Sequence, residues 1–433
     1  MIPSAETAIE KFLFSDTINI VWIIPVSGIC ILSQSRAKDT IIMHFSHELT
    51  HQRRKGMESW VRDAFAKIER KFERGAALAS VQDIIPYMGG THSFLPSPYG
   101  GEKGDNSWWT GGFWPALMWQ FFHNTGKDIY KIEAIRTEKL LTAEFNRFTG
   151  LHHDVGFMYL LSCGAHHKLL GDEQAYVNTL HAATLLAGRF NPEGFIRAWE
   201  GDDRAGWAIV DCLMNLPLLH WASRRTGDPR FEKIARIHTD TTIREFQRPD
   251  GSMCHICIFD PDTGKALQRP AGQGYAEGSS WSRGQAWALY GFTLGALNLK
   301  EKRYLDAARR CADYFIANIR EDGLTDCDFC QPGDEERIDN IAGACAACGL
   351  IELAGLTQGE ESQRYHNAAL KLLKALHELC SDYTDNSTGI LQKCTAAYHN
   401  DGAGRHVNIL YGDYFYVEAL CKLMGTDARL WME

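Results

Sequence analysis

Positive charge is scarce in this sequence. Its 433 residues include 45 Lys and Arg against 54 Asp and Glu, which gives a formal net charge of −9. The one basic run that stands out is the short segment 53–55. A chain of this charge lacks the basic surface that nucleic-acid binding requires, so we predict that nucleic acid is not a partner. Any site for an anionic ligand must therefore carry its own local positive charge.

A hydrophobic run long enough to span a membrane is also missing. The strongly apolar stretch 18–32 contains a proline and a glycine and is too short to cross a bilayer comfortably. Glu6, Glu10 and Asp16 precede it, whereas a signal peptide begins with basic residues. We therefore predict no stable membrane span, a cytoplasmic protein and an atypical N-terminal extension over residues 1–56. A cleaved signal, and hence secretion, is the alternative.

The cysteine pattern does not indicate a disulfide framework. The chain has 13 cysteines, an odd number, and many of them lie in apolar helical contexts. Buried free thiols in a reducing compartment are the simplest interpretation. Cys327 with Cys330, and Cys345 with Cys348, have near zinc-ribbon spacing, but the second pair lies in the small-residue helical stretch 342–350. We predict thiols packed into the core, with a zinc site as the alternative.

Strand-like alternation is scarce, and only the segments near 252–259 and 389–394 are short strand candidates. From about Met57 onward, apolar residues recur at helical spacing almost throughout. No Pro/Ser-rich linker divides this part of the chain. We therefore predict a single all-α domain over residues 57–433, which follows the extension.

Short Gly/Asp turns that precede an aromatic residue join the helical runs. They lie at 125–128, 171–172 and 226–228, and looser copies occur at three later places: 300–304, 359–365 and 425–427. In such a turn the glycine ends one helix and the aspartate caps the next. Helical hairpins repeated every 40–70 residues or so predict an (α/α)6 barrel. An open helical solenoid fits this periodicity almost as well.

Asp211 is a candidate catalytic residue because it lies in the apolar run 209–214. A buried carboxyl group is rarely tolerated without a partner or a chemical task. Such a group can hold a proton near neutral pH and donate it. Pro217 follows closely, so a helix begins near Asn215 or is kinked there. Either arrangement allows Asp211 to lie at a barrel mouth, although a purely structural role is the alternative.

Asp154 follows His152 and His153 at the start of an apolar helix. The simplest interpretation is that Asp154 caps this helix. A metal site formed by the three side chains is a weaker alternative, because no further ligand has suitable spacing.

The segment 281–287 combines groups that suit an anionic sugar. Trp281 offers a stacking surface, Arg283 a positive charge and Gln285 hydrogen bonds. The 12 tryptophans of the chain also suit sugar binding, although a large aromatic core explains them equally. A helix start capped by Ser282 is the structural alternative for this segment. If Arg283 binds an anionic substrate, Arg283→Ala should raise KM with little change in melting temperature.

Five blocks in this order resemble the unsaturated glucuronyl hydrolases, glycoside hydrolase family 88. They are residues 109–114, 152–157, 209–217, 278–291 and 412–420, and the resemblance extends from about Trp60 to the C-terminus. The resemblance implies an (α/α)6 barrel and an enzyme without metal or cofactor. Its implied activity is removal of a 4,5-unsaturated uronic acid from the non-reducing end of lyase-generated oligosaccharides.

The resemblance also implies roles for individual residues. Asp211 matches the family's general acid/base and Asp154 its second essential carboxylate. One departure is Gly111, where some members carry Asp, and it puts a single loop contact in doubt. The sugar-contacting positions that carry over are Trp109, His153, Trp199, His255, Gln273, Trp281, Arg283 and Gln285.

Three other functions remain open at this point. An unsaturated rhamnogalacturonyl hydrolase would share the barrel and the hydration chemistry. A non-catalytic sugar-binding barrel would leave the paired carboxylates without a task. The segment 47–51 matches the HExxH pattern of zinc peptidases, but it lies in the extension and no third ligand is evident.

Overall fold

Helices dominate the computed structural model, which describes residues 59–333 and 336–433. Seven very short strands and several single turns complete the architecture. The all-α prediction is therefore confirmed. The α-helices of the described residues are α1 (Ser59–Gln82), α2 (Phe113–Thr125), α3 (Asp128–Ala143), α4 (Ala165–Leu170), α5 (Glu173–Gly188), α6 (Pro217–Thr226), α7 (Pro229–Glu245), α8 (Ser282–Leu299), α9 (Lys302–Ala317), α10 (Asn340–Leu356), α11 (Gly359–Leu379) and α12 (Leu410–Met424).

The even-numbered helices form an inner ring and the odd-numbered helices an outer ring. Every residue of α8 from Ser282 to Ala296 is buried, because this helix is covered on all sides. In contrast, α9 buries a single stripe that begins at Tyr304 and ends at Phe315. The inner helices contact one another in succession, and α12 packs back against α2. The ring is thus closed, which confirms the (α/α)6 barrel and excludes the open solenoid.

The predicted hairpin turns have the expected backbone. Gly126, Gly171 and Gly227 end their helices in the left-handed region, with φ of 69°, 72° and 70°. A side chain with a Cβ is strained there, whereas glycine is not. Asp172 and Asp228 then accept hydrogen bonds from backbone N–H groups in the first turns of α5 and α7. The predicted turn chemistry is confirmed in full at 171–172 and 226–228, but the predicted cap at 125–128 is wrong, because Asp128 is the first residue of α3 and Lys127, which makes no side-chain cap bond, precedes it.

Two short turns and one irregular helix lead into the inner ring. A 3-10 turn, Trp109–Gly112, precedes α2, and another, Val210–Met214, precedes α6. A π-helix, Gly156–Gly164, runs directly into α4. Pro217 is the first residue of α6, where a missing N–H is harmless. Further 3-10 turns are Gly101–Lys103, Glu144–Asn146 and Gly402–Gly404.

The strands are short and antiparallel. They are β1 (Met88–Gly89), β2 (Phe94–Leu95), β3 (Phe190–Asn191), β4 (Phe195–Ile196), β5 (Trp207–Ile209), β6 (Ile256–Phe259) and β7 (Ala266–Gln268). β6 lies between β5 and β7 and confirms the strand expected near 252–259. The strand expected at 389–394 is wrong, because only isolated bridges through Leu391 and Cys394 occur there. These residues bond mainly to the loops and side chains around them.

The C-terminal residues close one end of the barrel. The Trp431 ring lies parallel to that of Phe415, with centroids 6.2 Å apart, and its Nε1 donates to Glu418 at 3.0 Å. Asp427 accepts hydrogen bonds from Lys422 and Gln120. The other end of the inner ring, where its helices begin, is therefore the end available for a ligand.

Three further predictions concern membrane spans, the cysteines and the N-terminal extension. No helix among the described residues is sufficiently long and apolar to serve as a membrane span. The twelve cysteines of the described residues are free, and Cys345 and Cys348 are buried within α10, as expected for thiols packed into the core. The extension 1–56, including the HExxH match at 47–51, lies outside the described residues. The boundary at residue 57 stays a prediction.

Candidate active site

The two predicted carboxylates lie at the starts of neighbouring inner segments. Asp154 comes just before the π-helix Gly156–Gly164, and Asp211 is in the 3-10 turn that leads into α6. Their residues are only 5% and 6% exposed. Neither carboxylate caps a helix, because no side chain caps the N-terminus of the π-helix or of the 3-10 turn. The capping interpretation of Asp154 is therefore wrong.

Asp154 is surrounded by groups that stabilise its negative charge. Its Oδ2 lies 3.2 Å from His152 Nδ1 and 3.3 Å from His153 Nε2, and its Oδ1 accepts from Asn215 Nδ2 at 3.0 Å. Burial opposes ionisation, but the two imidazoles outweigh it and hold the pKa of the Asp154 carboxyl well below its usual range. Asp154 is thus an ionised carboxylate.

Asp211 has a different environment. Its Oδ2 is buried without a hydrogen bond, and the nearest basic group is His255 Nε2 at 3.5 Å. His255 Nδ1 accepts from the backbone N–H of Gln273 at 3.0 Å, so the ring proton of a neutral His255 is on Nε2 and faces Asp211. The backbone N–H of Val210 donates to the carbonyl of His255 at 2.9 Å, which fixes the two residues together.

A group of two aromatic rings and a buried cation adjoins His255 through Trp281. The Arg283 guanidinium lies 4.6 Å from the Trp281 ring centre and 5.7 Å from that of Tyr411. Trp281 in turn packs on His255, with ring centres 4.6 Å apart. The helix-cap alternative for Ser282 is wrong, since its hydroxyl donates to the carbonyl of Cys327. The predicted residues of segment 281–283 thus join the site through Trp281.

The Arg283 side chain is paired with other groups inside the protein, which its sequence context does not predict. It is 1% exposed, forms an ion pair with Asp339, and donates to the carbonyls of Thr395, at 2.7 Å, and Ala396. Burial lowers the pKa of this group, but Asp339 outweighs burial and raises it. Only Nε remains without a partner. The predicted local cation is therefore a paired one, and three of its five N–H groups are already used.

The two glutamines differ in what they can offer a ligand. Gln285 is fully buried; its Oε1 accepts from the Met253 N–H, and its Nε2 donates to the carbonyls of Gly251 and Cys311. These bonds favour a structural role for Gln285. Gln273 is half-buried and donates to the carbonyl of Ala396, beside Arg283. Whether either side chain contacts a sugar stays a prediction.

Trp109 and Trp199 are half-buried. Trp109 packs against Tyr411 and Phe157, with ring centres 5.0 and 5.6 Å away. Trp199 lies 6.0 Å from the Trp207 ring, in a small cluster that includes Ile209 of β5. Both rings keep exposed surface on which a sugar can stack.

Gly111 forms part of the turn that carries Trp109. A Cβ there would lie 2.8 Å from the Leu141 side chain, so the position packs tightly against α3. An aspartate at this position would require Leu141 to move.

Asn215 is a further residue of the site, beyond those predicted from the sequence. Its Nδ2 donates to the Asp154 carboxylate at 3.0 Å and to the Asp211 carbonyl at 3.3 Å. It lies in a sequence block that carried the family resemblance, but an asparagine near a proline has no chemical signature of its own. Only the fold shows that it lies between the two carboxylate-bearing turns.

Several buried polar atoms of the site have no hydrogen-bond partner. Among the described residues, those of the site with such atoms are His153 (both ring nitrogens), Asp211 (Oδ2), His255 (Nε2), Trp281 (Nε1) and Arg283 (Nε). His153 Nε2 lies 3.3 Å from the Asp154 carboxylate and His255 Nε2 lies 3.5 Å from that of Asp211, but neither contact has the geometry of a hydrogen bond. Because buried polar groups are normally satisfied, this concentration indicates a polar ligand.

A metal is the other ligand that this cluster could hold. Within the part of the chain that the structure describes, His152, His153 and Asp154 form the one group of three potential ligands, with donor atoms within 4.8 Å of one another. The cysteines of the zinc-ribbon alternative form no such group among the described residues. That the reaction needs no metal stays a prediction.

Comparisons with known proteins agree with the resemblance. The sequence model of Glycosyl Hydrolase Family 88 matches residues 96–420. The chain is 38% identical to an unsaturated glucuronyl hydrolase of Bacillus sp. (strain GL1) over 76% of this chain and 89% of that protein. It is 32% identical to an unsaturated chondroitin disaccharide hydrolase of Streptococcus pneumoniae, over 76% and 84% of the two chains.

Solved structures give the same result. The crystal structure of unsaturated glucuronyl hydrolase from Bacillus sp. GL1 matches with a TM-score of 0.80 and 33% identity, over 86% of this chain and 99% of that chain. A mutant of the Streptococcus agalactiae enzyme, complexed with dGlcA-GalNAc6S, matches with a TM-score of 0.70 and 27% identity, over 84% and 91% of the two chains.

Proposed function

Because this chain belongs to glycoside hydrolase family 88, we propose that it removes a 4,5-unsaturated uronic acid from the non-reducing end of lyase-generated oligosaccharides. The observation that carries this proposal is the pair of buried carboxylates, one ionised and one unpartnered, in a site lined with unused donors. The relatives named above are glucuronyl and chondroitin disaccharide hydrolases. Their names favour a glucuronyl substrate over the rhamnogalacturonyl alternative.

The proposed reaction begins with protonation of an enol ether. A lyase leaves a C4=C5 double bond conjugated to the ring oxygen. Asp211, in its protonated form, donates a proton to C4, and the positive charge develops at C5 and the ring oxygen. Water then adds to C5 and returns a proton to the Asp211 carboxylate, so the acid is regenerated. The resulting hemiketal opens and the aglycone leaves, which differs from displacement at C1 by ordinary glycosidases.

The environments of the two carboxylates support these roles. Asp211 Oδ2 has no hydrogen-bond partner and is therefore free to carry the transferred proton. Asp154 is held ionised by His152, His153 and Asn215. A fixed negative charge stabilises the positive charge that develops on the sugar ring. Asp154 also offers acceptors to the ring hydroxyls.

Positive potential for the uronate comes from two sources. Arg283 Nε has no hydrogen-bond partner, and Trp281 and His255 each offer a ring N–H. The inner helices also begin at this end of the barrel, as contacts among Trp109, Tyr411 and Arg283 show. Helix N-termini carry partial positive charge and favour anions. Together these groups give the site a local positive potential, which offsets the repulsion between the uronate and a protein of net charge −9.

The test is turnover of a panel of unsaturated disaccharides made by lyases from several uronate polysaccharides. We expect loss of the enol-ether ultraviolet absorbance, with release of the aglycone. In D2O, hydration by a fixed acid places the deuteron on one face of C4, whereas displacement at C1 releases an enol that takes up deuterium from solvent on both faces of C4. Product that is made in H2O and then incubated in D2O controls for later exchange at C4. A protein that binds these sugars without loss of absorbance would be a sugar-binding barrel instead.

Compartment is a separate proposal. The free, mostly buried cysteines of the described residues suit a reducing environment. We propose a cytoplasmic enzyme that acts on imported lyase products. Cell fractionation with an antibody against the chain tests this, and activity confined to the extracellular fraction would contradict it.

A further inference from the structure

We infer that Asn215 is a positioning residue for the reaction, because its amide holds the Asp154 carboxylate in place relative to Asp211. The inference rests on the proposed function for its catalytic meaning. Its structural content, a bond that keeps Asp154 ionised and oriented, is measurable without any substrate.

The orientation of the Asn215 amide is fixed by its partners. The backbone N–H of Phe157 donates to Oδ1 at 2.7 Å, so the carbonyl side of the amide must face the π-helix. The NH2 side is therefore directed at Asp154 Oδ1, at 3.0 Å, and at the carbonyl of Asp211, at 3.3 Å. Asn215 is fully buried, so water does not compete for these bonds.

Close backbone packing leaves the amide no room to move. A Cβ at Gly156 would lie 2.6 Å from both Cα and Oδ1 of Asn215. The first residue of the π-helix thus rests directly on Asn215, and only glycine permits this approach. Asn215 consequently joins the turn that carries Asp211 to the segment that carries Asp154.

The bond also completes the shell around Asp154. His152 and His153 approach Oδ2, whereas Asn215 is the side-chain donor to Oδ1. Without it, that oxygen would be a buried charged acceptor with no side-chain donor, which destabilises the ionised form. The predicted consequences are a higher pKa for the Asp154 carboxyl and a looser position relative to the substrate.

Asn215→Asp removes the donor while it preserves the shape and the acceptor for Phe157. It also places a second carboxyl oxygen about 3 Å from Asp154, and two carboxylates at that distance do not both ionise readily. We expect kcat to fall at least tenfold, and the acidic limb of the kcat profile to move to higher pH. Asn215→Ser, which adds no charge, should shift the limb in the same direction by less.

Asn408 provides a matched control because it makes the same set of bonds elsewhere. It is 4% exposed; its Nδ2 donates to the Asp413 carboxylate at 3.1 Å and to the Leu391 carbonyl at 2.9 Å, and its Oδ1 accepts from the Gly89 N–H. Asn408→Asp should lower the melting temperature but keep the wild-type pH limb. A shift of the limb in Asn408→Asp equal to that of the Asn215 variants would overturn the inference.

A second measurement separates this inference from the proposed function. The carboxyl ¹³C resonance of Asp154, assigned with Asp154→Asn in aspartate-labelled protein, is titrated without substrate. While the protein is still folded, we expect the resonance to begin to shift at a pH at least one unit higher in Asn215→Asp and Asn215→Ser than in the wild-type protein, and Asn408→Asp to match the wild-type protein. No earlier onset in either Asn215 variant would overturn the inference, even if the enzyme turns over every disaccharide. Failure of all disaccharides would instead overturn the proposed function.

Discussion

Asp211 and Asp154 are chemically identical side chains that their neighbours make different. Asp154 has two imidazoles and an amide around it and stays ionised, whereas Asp211 Oδ2 has no hydrogen bond. A site that needs one proton donor and one fixed negative charge requires this difference. The division of roles follows from the surroundings of each carboxyl group.

Asp211→Asn should nearly abolish turnover while the fold stays intact, because an amide cannot deliver a proton to C4. Loss of a general acid commonly costs about 10²–10⁴ in rate. The measurement is kcat on the best disaccharide, with circular dichroism to verify folding. Asp306→Asn, which removes a carboxylate from the outer helix α9, is the control and should retain turnover. Substantial activity in folded Asp211→Asn would remove Asp211 from the acid/base role.

Arg283→Ala should lower stability as well as substrate affinity. We first expected a raised KM with little change in melting temperature, but Arg283 is paired with Asp339 inside the protein. Removing one partner of a buried ion pair costs about 3–5 kcal/mol because the other charge remains buried. Loss of the guanidinium between Trp281 and Tyr411 should also raise KM.

The readouts for Arg283→Ala are the melting temperature and KM, measured on the same preparation. Arg224→Ala is the control. It removes an ion pair with Glu433 in which the Arg224 side chain is 36% exposed, and it should change the free energy of unfolding by less than about 1 kcal/mol. A wild-type melting temperature in Arg283→Ala would contradict the structural role. A wild-type KM would contradict the binding role.

At the scale of elements, the inner ring depends on a segment that belongs to no helix. The chain after α12 turns back and inserts Trp431 among the aromatic rings of Phe157, Tyr414 and Phe415. This insertion fills the barrel end away from the candidate site. The C-terminal residues therefore support the aromatic rings that lie beneath the site.

Trp431→Ala should destabilise the protein by about 3–5 kcal/mol, since it leaves a large cavity and an unpartnered Glu418 oxygen. Glu433→Ala is the control, because its ion pairs with Arg224 and Arg225 are partly exposed and contribute little. Chemical denaturation of both variants provides the measurement. Equal stability of the two variants would show that the C-terminal insertion does not support the barrel.

At the scale of the whole molecule, buried histidines limit stability in acid. Burial, together with repulsion by Arg224 and Arg236, lowers the pKa of His220 to about 3. The unfolded chain takes up a proton at this position below pH of about 6.5, whereas the folded protein does not. The stability that His220 contributes is therefore complete above pH 6.5 and is lost as the pH falls toward 3. His238 is likewise buried, and its pKa is also lowered to about 3.

His220→Gln should flatten this dependence. Between pH 7 and pH 5, the free energy of unfolding of the wild-type protein should fall by about 2 kcal/mol more than that of the variant. Urea denaturation at several pH values measures both curves. Parallel curves for the two proteins would contradict a neutral, buried His220 in the folded state.

The sequence by itself determined the helical hairpins and pointed to the two candidate carboxylates. Glycine at 126, 171 and 227 and the caps Asp172 and Asp228 are local signals, because a left-handed turn and a helix cap involve only a few adjacent residues. Asp211 was identifiable because a carboxyl group inside an apolar run is costly anywhere. The family and its expected chemistry followed from five ordered blocks.

The tertiary structure alone decided which side chains meet. Asn215 and Asp154 are 61 positions apart, and Arg283 and Asp339 are 56 apart. No feature of the neighbouring sequence marks these residues as partners, so the pairing of Arg283 with Asp339 and the role of Asn215 could not be predicted from the sequence. Closure of the ring was equally non-local, since it depends on α12 packing against α2. Local chemistry sets turns and caps, whereas contacts between distant segments set charge pairing, burial and the geometry of the site.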